Sequence, residues 1–228
     1  MLELNQLYNM DCMEGMAQFT DKYFELAIVD PPYFSGPNKR KYYGPEVNKL
    51  NIKRVDYPII EGWEVPAESY FEELRRVSKH QIIWGCNYFN TQLPAGRIVW
   101  DKVNASSSFS DCEIASCSLH DSTRLFRYMW NGMMQGKSIA EGHIMQGDKS
   151  KNEKRIHPTQ KPVNLYKWIA RQYIQPGWKV IDTHVGSASS LIAFYEENIE
   201  FVGFEKDAYI FRLASERLHS IMAQTRLF

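Results

Sequence analysis

The chain has 228 residues, and its 27 Lys and Arg are balanced by 27 Asp and Glu. At 44% hydrophobic and 24% charged, it reads as one globular domain, or one domain with a substantial insertion. Zero net charge excludes a uniformly cationic coat for nucleic acid, but not a local basic face inside a neutral total. No apolar run approaches the ~20 residues of a membrane span, and the first residues lack a basic-then-apolar signal pattern. Cys12, Cys86, Cys112 and Cys117 form no CxxC pair, so reduced thiols in a cytoplasmic protein without a bound metal are expected. No GxxxxGK[ST] phosphate loop occurs.

In chain order, residues 24–29 (FELAIV) are a short apolar run stopped by Asp30-Pro31-Pro32, which predicts a buried strand ended by a turn. Residues 69–79 carry Tyr70, Phe71, Leu74 and Val77 at helical spacing. Residues 81–84 (QIIW) and 97–100 (RIVW) predict two further buried strands. From 104 to about 155 the chain is rich in Ser, Gly, Asn and Lys with weak periodicity; 35–66 also lacks periodicity and carries Gly, Pro and Tyr. Both are expected to be loops or insertions, where function commonly sits. Residues 165–174 predict a helix ended by Pro176-Gly177. A strand at 179–181, a helix over 187–197, a strand at 201–204 and an amphipathic helix over 208–224 follow. Strand–helix alternation with apolar strands predicts an α/β fold with a mostly parallel sheet covered on both faces.

The sharpest motif is Asp30-Pro31-Pro32-Tyr33, set directly after a predicted strand. In open α/β sheets, ligands sit at the carboxyl ends of strands. Two prolines stiffen the turn, and a carboxylate, a fixed carbonyl and an aromatic ring then converge. That set suits an exocyclic amine on a planar base: Asp30 and the Pro31 carbonyl accept its N–H groups, and Tyr33 stacks on the ring. A second signal is Asp182-Thr183-His184-Val185-Gly186-Ser187 before a helix, an arrangement that favours anionic groups, with nearby serines as caps. Glu205 lies 23 residues after Asp182, at the end of the next predicted strand. An acidic residue there is placed to hold a ribose diol. The fourth segment, His157-Pro158-Thr159-Gln160-Lys161-Pro162, offers Lys161 as a cation on a restricted backbone.

Together DPPY, HPTQKP, DTHVGSAS and GFEKD resemble an S-adenosylmethionine-dependent DNA amino-methyltransferase of the beta class. In that class the Rossmann-like methyltransferase fold is circularly permuted, so the catalytic motif precedes the cofactor motif. The resemblance implies a catalytic domain made of 1–103 and 156–228, a target-recognition insertion over 104–155, and a DNA-facing loop over 35–66. It implies catalytic roles for Asp30, Pro31, Pro32 and Tyr33. It implies cofactor contacts from Asp11, Asp30, Lys161, Asp182, Thr183, Gly186, Ser187 and Glu205, with Lys161 on the cofactor carboxylate and Asp11 near its adenine. Phe109 resembles a position that contacts the flipped base. The turn departs from the family's DPFxGSGT, with Thr183, His184 and Ala188 in place of Pro, Phe and Gly.

DPPY favours adenine N6 over cytosine N4. The implied activity is therefore site-specific adenine-N6 methylation of duplex DNA, as in restriction–modification systems. N4-cytosine or RNA methylation, or a catalytically silent nucleic-acid-binding protein on the same scaffold, are the alternatives. No Pro-Cys dipeptide occurs, which counts against C5-cytosine chemistry through a cysteine nucleophile. A homodimer is the assembly the family suggests. Gln224, Leu227 and Phe228 resemble a sliding-clamp-binding peptide, against the plainer expectation of a helix end packed on the body.

Charge patterning adds a DNA face. Lys39, Arg40, Lys41, Lys49, Lys53 and Arg54 oppose only Glu46 within 35–55. Residues 121–167 carry nine Lys and Arg, Arg124 and Arg127 among them, against four acids. Two basic, irregular, aromatic-rich segments predict a phosphate-tracking surface.

Overall fold

The structure is a computed structural model that describes residues 2–33, 64–104, 110–131, 133–157 and 159–225. Its elements in chain order begin with β1 (Gln6–Tyr8), α1 (Cys12–Met16), β2 (Phe24–Val29), α2 (Glu68–Val77) and β3 (Ser78–Trp84). There follow β4 (Gly96–Asp101), β5 (Cys112–Cys117), β6 (Thr123–Arg127), β7 (Trp130–Asn131) and β8 (Met134–Gln135). The last third holds α3 (Val163–Tyr173), β9 (Lys179–Asp182), α4 (Ser189–Glu196), β10 (Glu200–Phe204) and α5 (Ala208–Thr225).

Eight strands form one sheet in the order β1-β10-β9-β2-β3-β5-β4-β6. The pairs from β1 to β3 are parallel, β5 is antiparallel to both β3 and β4, and β6 is parallel to β4. The expected mostly parallel sheet is present, with β5 its one reversed strand. Along β2, successive residues feed opposite faces as the pleat requires. Leu26 and Ile28 pack with Leu165, Ile169 and Leu191 of α3 and α4. Ala27 and Val29 pack with Tyr70, Phe71, Leu74 and Val77 of α2. Each fully buried Leu, Ile, Val or Phe side chain among these contributes about 1.5–3 kcal/mol, so the two layers hold the sheet from both sides.

Three expectations change. The helix predicted over 69–79 stops at Val77, because Ser78 turns extended and caps the Leu74 carbonyl with its hydroxyl at 2.5 Å. Strand β3 then starts with no loop. The helix predicted from Ser187 starts at Ser189, after Ala188 in the left-handed conformation (φ 61°), and no side chain caps it. The weakly periodic stretch 104–155 is not loop throughout: β5 and β6 inside it are strands of the main sheet. Beyond them lies the small β7–β8 hairpin, tied down by the Trp130 indole N–H on the Gln160 carbonyl (2.7 Å). No helix among the described residues is long and apolar enough to cross a membrane.

Candidate active site

Adjacent parallel strands β9 and β2 send their chains to opposite sides: β9 connects through α4 to β10, and β2 leads towards α2 and β3. That divergence is the topological switch point where an open α/β sheet leaves a crevice beyond its strand ends. A cleft of about 380 Å³ lies there, within the range of small-molecule sites. Its walls bring together Asp30 to Tyr33 after β2, Thr183 to Ser187 after β9, Glu205 after β10 and Asp11 after β1. Gln160 and Lys161 close it from the segment before α3.

On the β2 side, Asp30 is mostly buried and ion-paired through Oδ2 with the Lys161 ammonium. Its other oxygen, Oδ1, is buried with no hydrogen-bond partner. Lys161 Nζ also lies 3.0 Å from Glu113 Oε2, and Lys102 Nζ lies 2.5 Å from Glu113 Oε1. Burial opposes charge on Lys161, but Asp30 and Glu113 overcome it and hold the ammonium protonated above its ordinary range. Burial likewise opposes charge on Glu113, and the two lysines bring its carboxyl down to about 2. Asp30 is shifted upward, first by burial, with Lys161 opposing and Glu113 adding to the rise. Tyr33 stacks on Tyr88 at 4.8 Å and 13°. Gly85 lets the ring approach: its φ is +70°, and a Cβ there would stand 2.2 Å from Tyr33 Cδ1.

On the β9 side, Glu205 Oε2 accepts the Gly186 N–H and Oε1 the Asp207 N–H, each at 2.9 Å. Burial lifts its carboxyl to about 7 despite those bonds. Asp11 caps α1 on Met13 N–H and pairs with Lys206 at 2.9 Å. Burial would raise Asp11, but these partners hold it below its ordinary range. Thr183 joins Tyr70 (2.6 Å) to His184 Nδ1 (2.9 Å), and burial drives His184 down to about 4, so the ring is neutral near pH 7.

Asp182 differs from expectation: its carboxylate does not line the cleft but turns inward, accepting Ser190 Oγ (2.5 Å) and the His184 N–H (3.0 Å). The serine expected to cap a helix is thus spent on fixing the turn. Burial raises the Asp182 carboxyl to about 7. The native state then holds a proton that the unfolded chain releases near pH 4, so this contribution is full below about pH 4 and is lost as pH rises through 7. Unfolding free energies should show it: the stability of wild type relative to Asp182→Asn falls between about pH 4 and 7, by at most ~1.4 kcal/mol per unit. A pH-independent difference would refute the shift.

Of the other predicted residues, Lys39, Arg40, Lys41, Lys53, Arg54 and Phe109 lie outside the described residues, as do Leu227 and Phe228. Gln224 is exposed on α5. Arg124 and Arg127 sit on edge strand β6, with Arg127 paired to Asp101 at 2.9 Å. The basic count over 121–167 overstates its surface field: Lys161 is buried, Lys137 pairs with Glu141 and Lys167 with Glu196. Sequence reasoning missed Tyr70, Tyr88, Lys102 and Glu113 as site components. Glu113 lies four residues after Phe109, but nothing local reveals its partners.

The DNA methylase family model matches residues 99–216. The type II methyltransferase M.HindIII of Haemophilus influenzae is 32% identical over 89 residues, which is 39% of this chain and 28% of that protein. The chain thus aligns with little more than a quarter of that relative. The type II methyltransferase M2.MboI of Moraxella bovis is 21% identical over 94% of this chain and 88% of its own. Among solved structures, the M1.HpyAVI–SAM complex has a TM-score of 0.54 at 17% identity, covering 93% of this chain and 98% of that one. The cytosine-N4-specific PvuII DNA methyltransferase also has a TM-score of 0.54, at 14% identity, covering 95% and 90%. These likenesses establish the Rossmann-like methyltransferase fold. With more than half its length matched by the family model, the chain belongs to the N6/N4 DNA methylase family.

Proposed function

We propose that the chain is an S-adenosylmethionine-dependent DNA methyltransferase acting on the N6 amine of an adenine turned out of duplex DNA. The observation that carries this reading is Asp30 Oδ1: a buried acceptor without a partner, on a residue that lines the switch-point cleft together with Pro31. An unsatisfied buried carboxylate oxygen is costly, and an N–H donor entering the cleft relieves it. Asp30 before Tyr33, ahead of the β9 turn in the chain, fits the permuted beta-class order.

The cleft suits the cofactor by its donor set. Glu205 offers its remaining lone pairs to a ribose diol, Met10, Phe204 and Ile210 offer apolar surface to a planar base, and Gly186 (φ +56°) leaves open space where a side chain would intrude. Thr183 and Ser187 line the same wall. We assign Lys161 to Asp30 rather than to the cofactor carboxylate, because its ammonium is already shared by two carboxylates. Asp182 is assigned to the turn beneath. Bound there, S-adenosylmethionine would supply an electrophilic sulfonium methyl group. The protein's share is positioning: Asp30 Oδ1 and the Pro31 carbonyl accept the two amine N–H groups, which aims the nitrogen lone pair. The anionic oxygen also offers a place for the proton the amine sheds. Glu205→Gln is expected to weaken cofactor binding about 10- to 100-fold, the worth of charge-assisted hydrogen bonds, by calorimetric titration. Unchanged affinity would remove Glu205 from the site.

N4-cytosine methylation is the second reading, since the same acceptor pair suits a cytosine amine and the PvuII enzyme has a comparable fold match. Incubation of DNA with labelled cofactor, then mass spectrometry of the nucleosides, separates the two. N6-methyladenine is expected; N4-methylcytosine alone would transfer the assignment, and no label in any DNA would leave a binding protein.

A further inference from the structure

Four charged side chains from four segments stand in a row under the catalytic loop. Lys102 follows β4, Glu113 lies on β5, Lys161 precedes α3 and Asp30 follows β2. Their side chains are 14%, 19%, 2% and 18% exposed in that order. The signs alternate, so each like-charged pair is separated by an opposite charge. Glu113 is the hub. Its Oε1 takes Lys102 at 2.5 Å and its Oε2 takes Lys161 at 3.0 Å. The Tyr33 phenol reaches the same Oε2 at 3.5 Å, a long contact. Glu113 owes this place to reversed strand β5, which sits between β3 and β4 and pairs Glu113 with Trp100. Buried ion chains are a poor source of stability compared with apolar packing, which turns attention to what this one orients. Its far end is the carboxylate whose Oδ1 lacks a partner.

We propose that Glu113 is a positioning residue for methyl transfer. It holds Lys161 against Oδ2 of Asp30 and steadies the Tyr33 phenol at the same point, so that Oδ1 alone faces the incoming amine. This rests on the methyltransferase reading above. Lys161 occupies one oxygen and fixes the carboxylate's rotation. Glu113 keeps Lys161 from swinging into the cleft, and Lys102 balances the charge that Glu113 adds.

Glu113→Gln keeps the shape and removes the charge. The expected result is a 10- to 100-fold lower kcat, with KM for cofactor and for DNA within about threefold of wild type. The pH profile supplies a readout that a merely structural role would not move. The charged and titratable groups around Asp30 are Lys161, Glu113 and Lys102, with Tyr70, Tyr166 and Asp182 behind. Removing the Glu113 charge takes a like charge from Asp30, so the acid limb of kcat/KM moves to lower pH. Should Glu113→Gln fail to fold, Lys102→Met/Glu113→Gln restores the charge balance; the same fall in kcat is expected in it, with an acid-limb shift in the same direction but smaller, because Lys102 itself lowers the Asp30 carboxyl. A folded variant of either kind with wild-type kcat and an unmoved acid limb overturns the proposal while leaving the activity standing. Wild type that transfers no methyl group to any DNA overturns the underlying reading and this one with it.

Discussion

Asp30→Ala is expected to cut methyl transfer by about 10³-fold, as loss of a preorganised charged partner in a dry site typically does, while leaving the protein folded. The second half of that expectation comes from the shared cation. Without Asp30, Lys161 still has Glu113 at 3.0 Å, so no buried charge is stranded. Thermal midpoint and circular dichroism should match wild type within a few degrees, as label incorporation into DNA disappears. Transfer at wild-type rate by the folded variant would sink the catalytic assignment of Asp30.

Lys161→Met should do the opposite, lowering the stability of the fold itself. Two carboxylates, Asp30 and Glu113, face this ammonium, and its side chain is 2% exposed. Removing one partner of a buried ionic group costs about 3–5 kcal/mol because the remaining charge is uncompensated. For a chain of this size that is on the order of 6–20 °C in Tm. The mechanism has its own check: Glu113 keeps Lys102 at 2.5 Å, so Asp30 is the charge left without a partner, and adding Asp30→Asn to Lys161→Met should recover part of the loss. If the double variant is no more stable than the single, packing of the lysine stem rather than charge explains the effect.

Much of the sheet was legible in the sequence, for a reason visible in β2, β9 and β10. Strands buried on both faces read as unbroken apolar runs, as in FELAIV and FVGF. Strands β5 and β6 escaped because they lack that signature. CEIASC carries Glu113 and Ser116, and TRLFR buries only Phe126 fully while Leu125 is 58% exposed at the sheet edge. The motif residues Asp30, Tyr33, Gly186 and Glu205 do meet at one cleft, since a strand end fixes where its next residue points. What their side chains touch was not legible. Lys161 reads locally as a cation awaiting a ligand, and only the fold brings it two carboxylates. Asp182 reads as a cleft residue, and only the turn geometry shows Ser190 and His184 consuming it. Charge counting failed similarly over 121–167, because a sum cannot register pairing.

The pairing of β1 with β10 has a consequence for how the molecule is made. Gln6 aligns with Val202, Asn9 donates to the Glu205 carbonyl at 2.8 Å, and Asp11 pairs with Lys206. Strand β2 likewise finds one of its two neighbours, β9, only after the whole middle of the chain. Contacts this distant in sequence make folding slow and late. During synthesis the Asp30–Tyr33 loop leaves the ribosome well before the wall that faces it. A nascent chain halted before β10 therefore carries Asp30 through Tyr33 beside an incomplete sheet, with the apolar flank of β9 uncovered. Protease sensitivity of such arrested chains, falling sharply once β10 has emerged, would mark the moment at which the cleft comes into being.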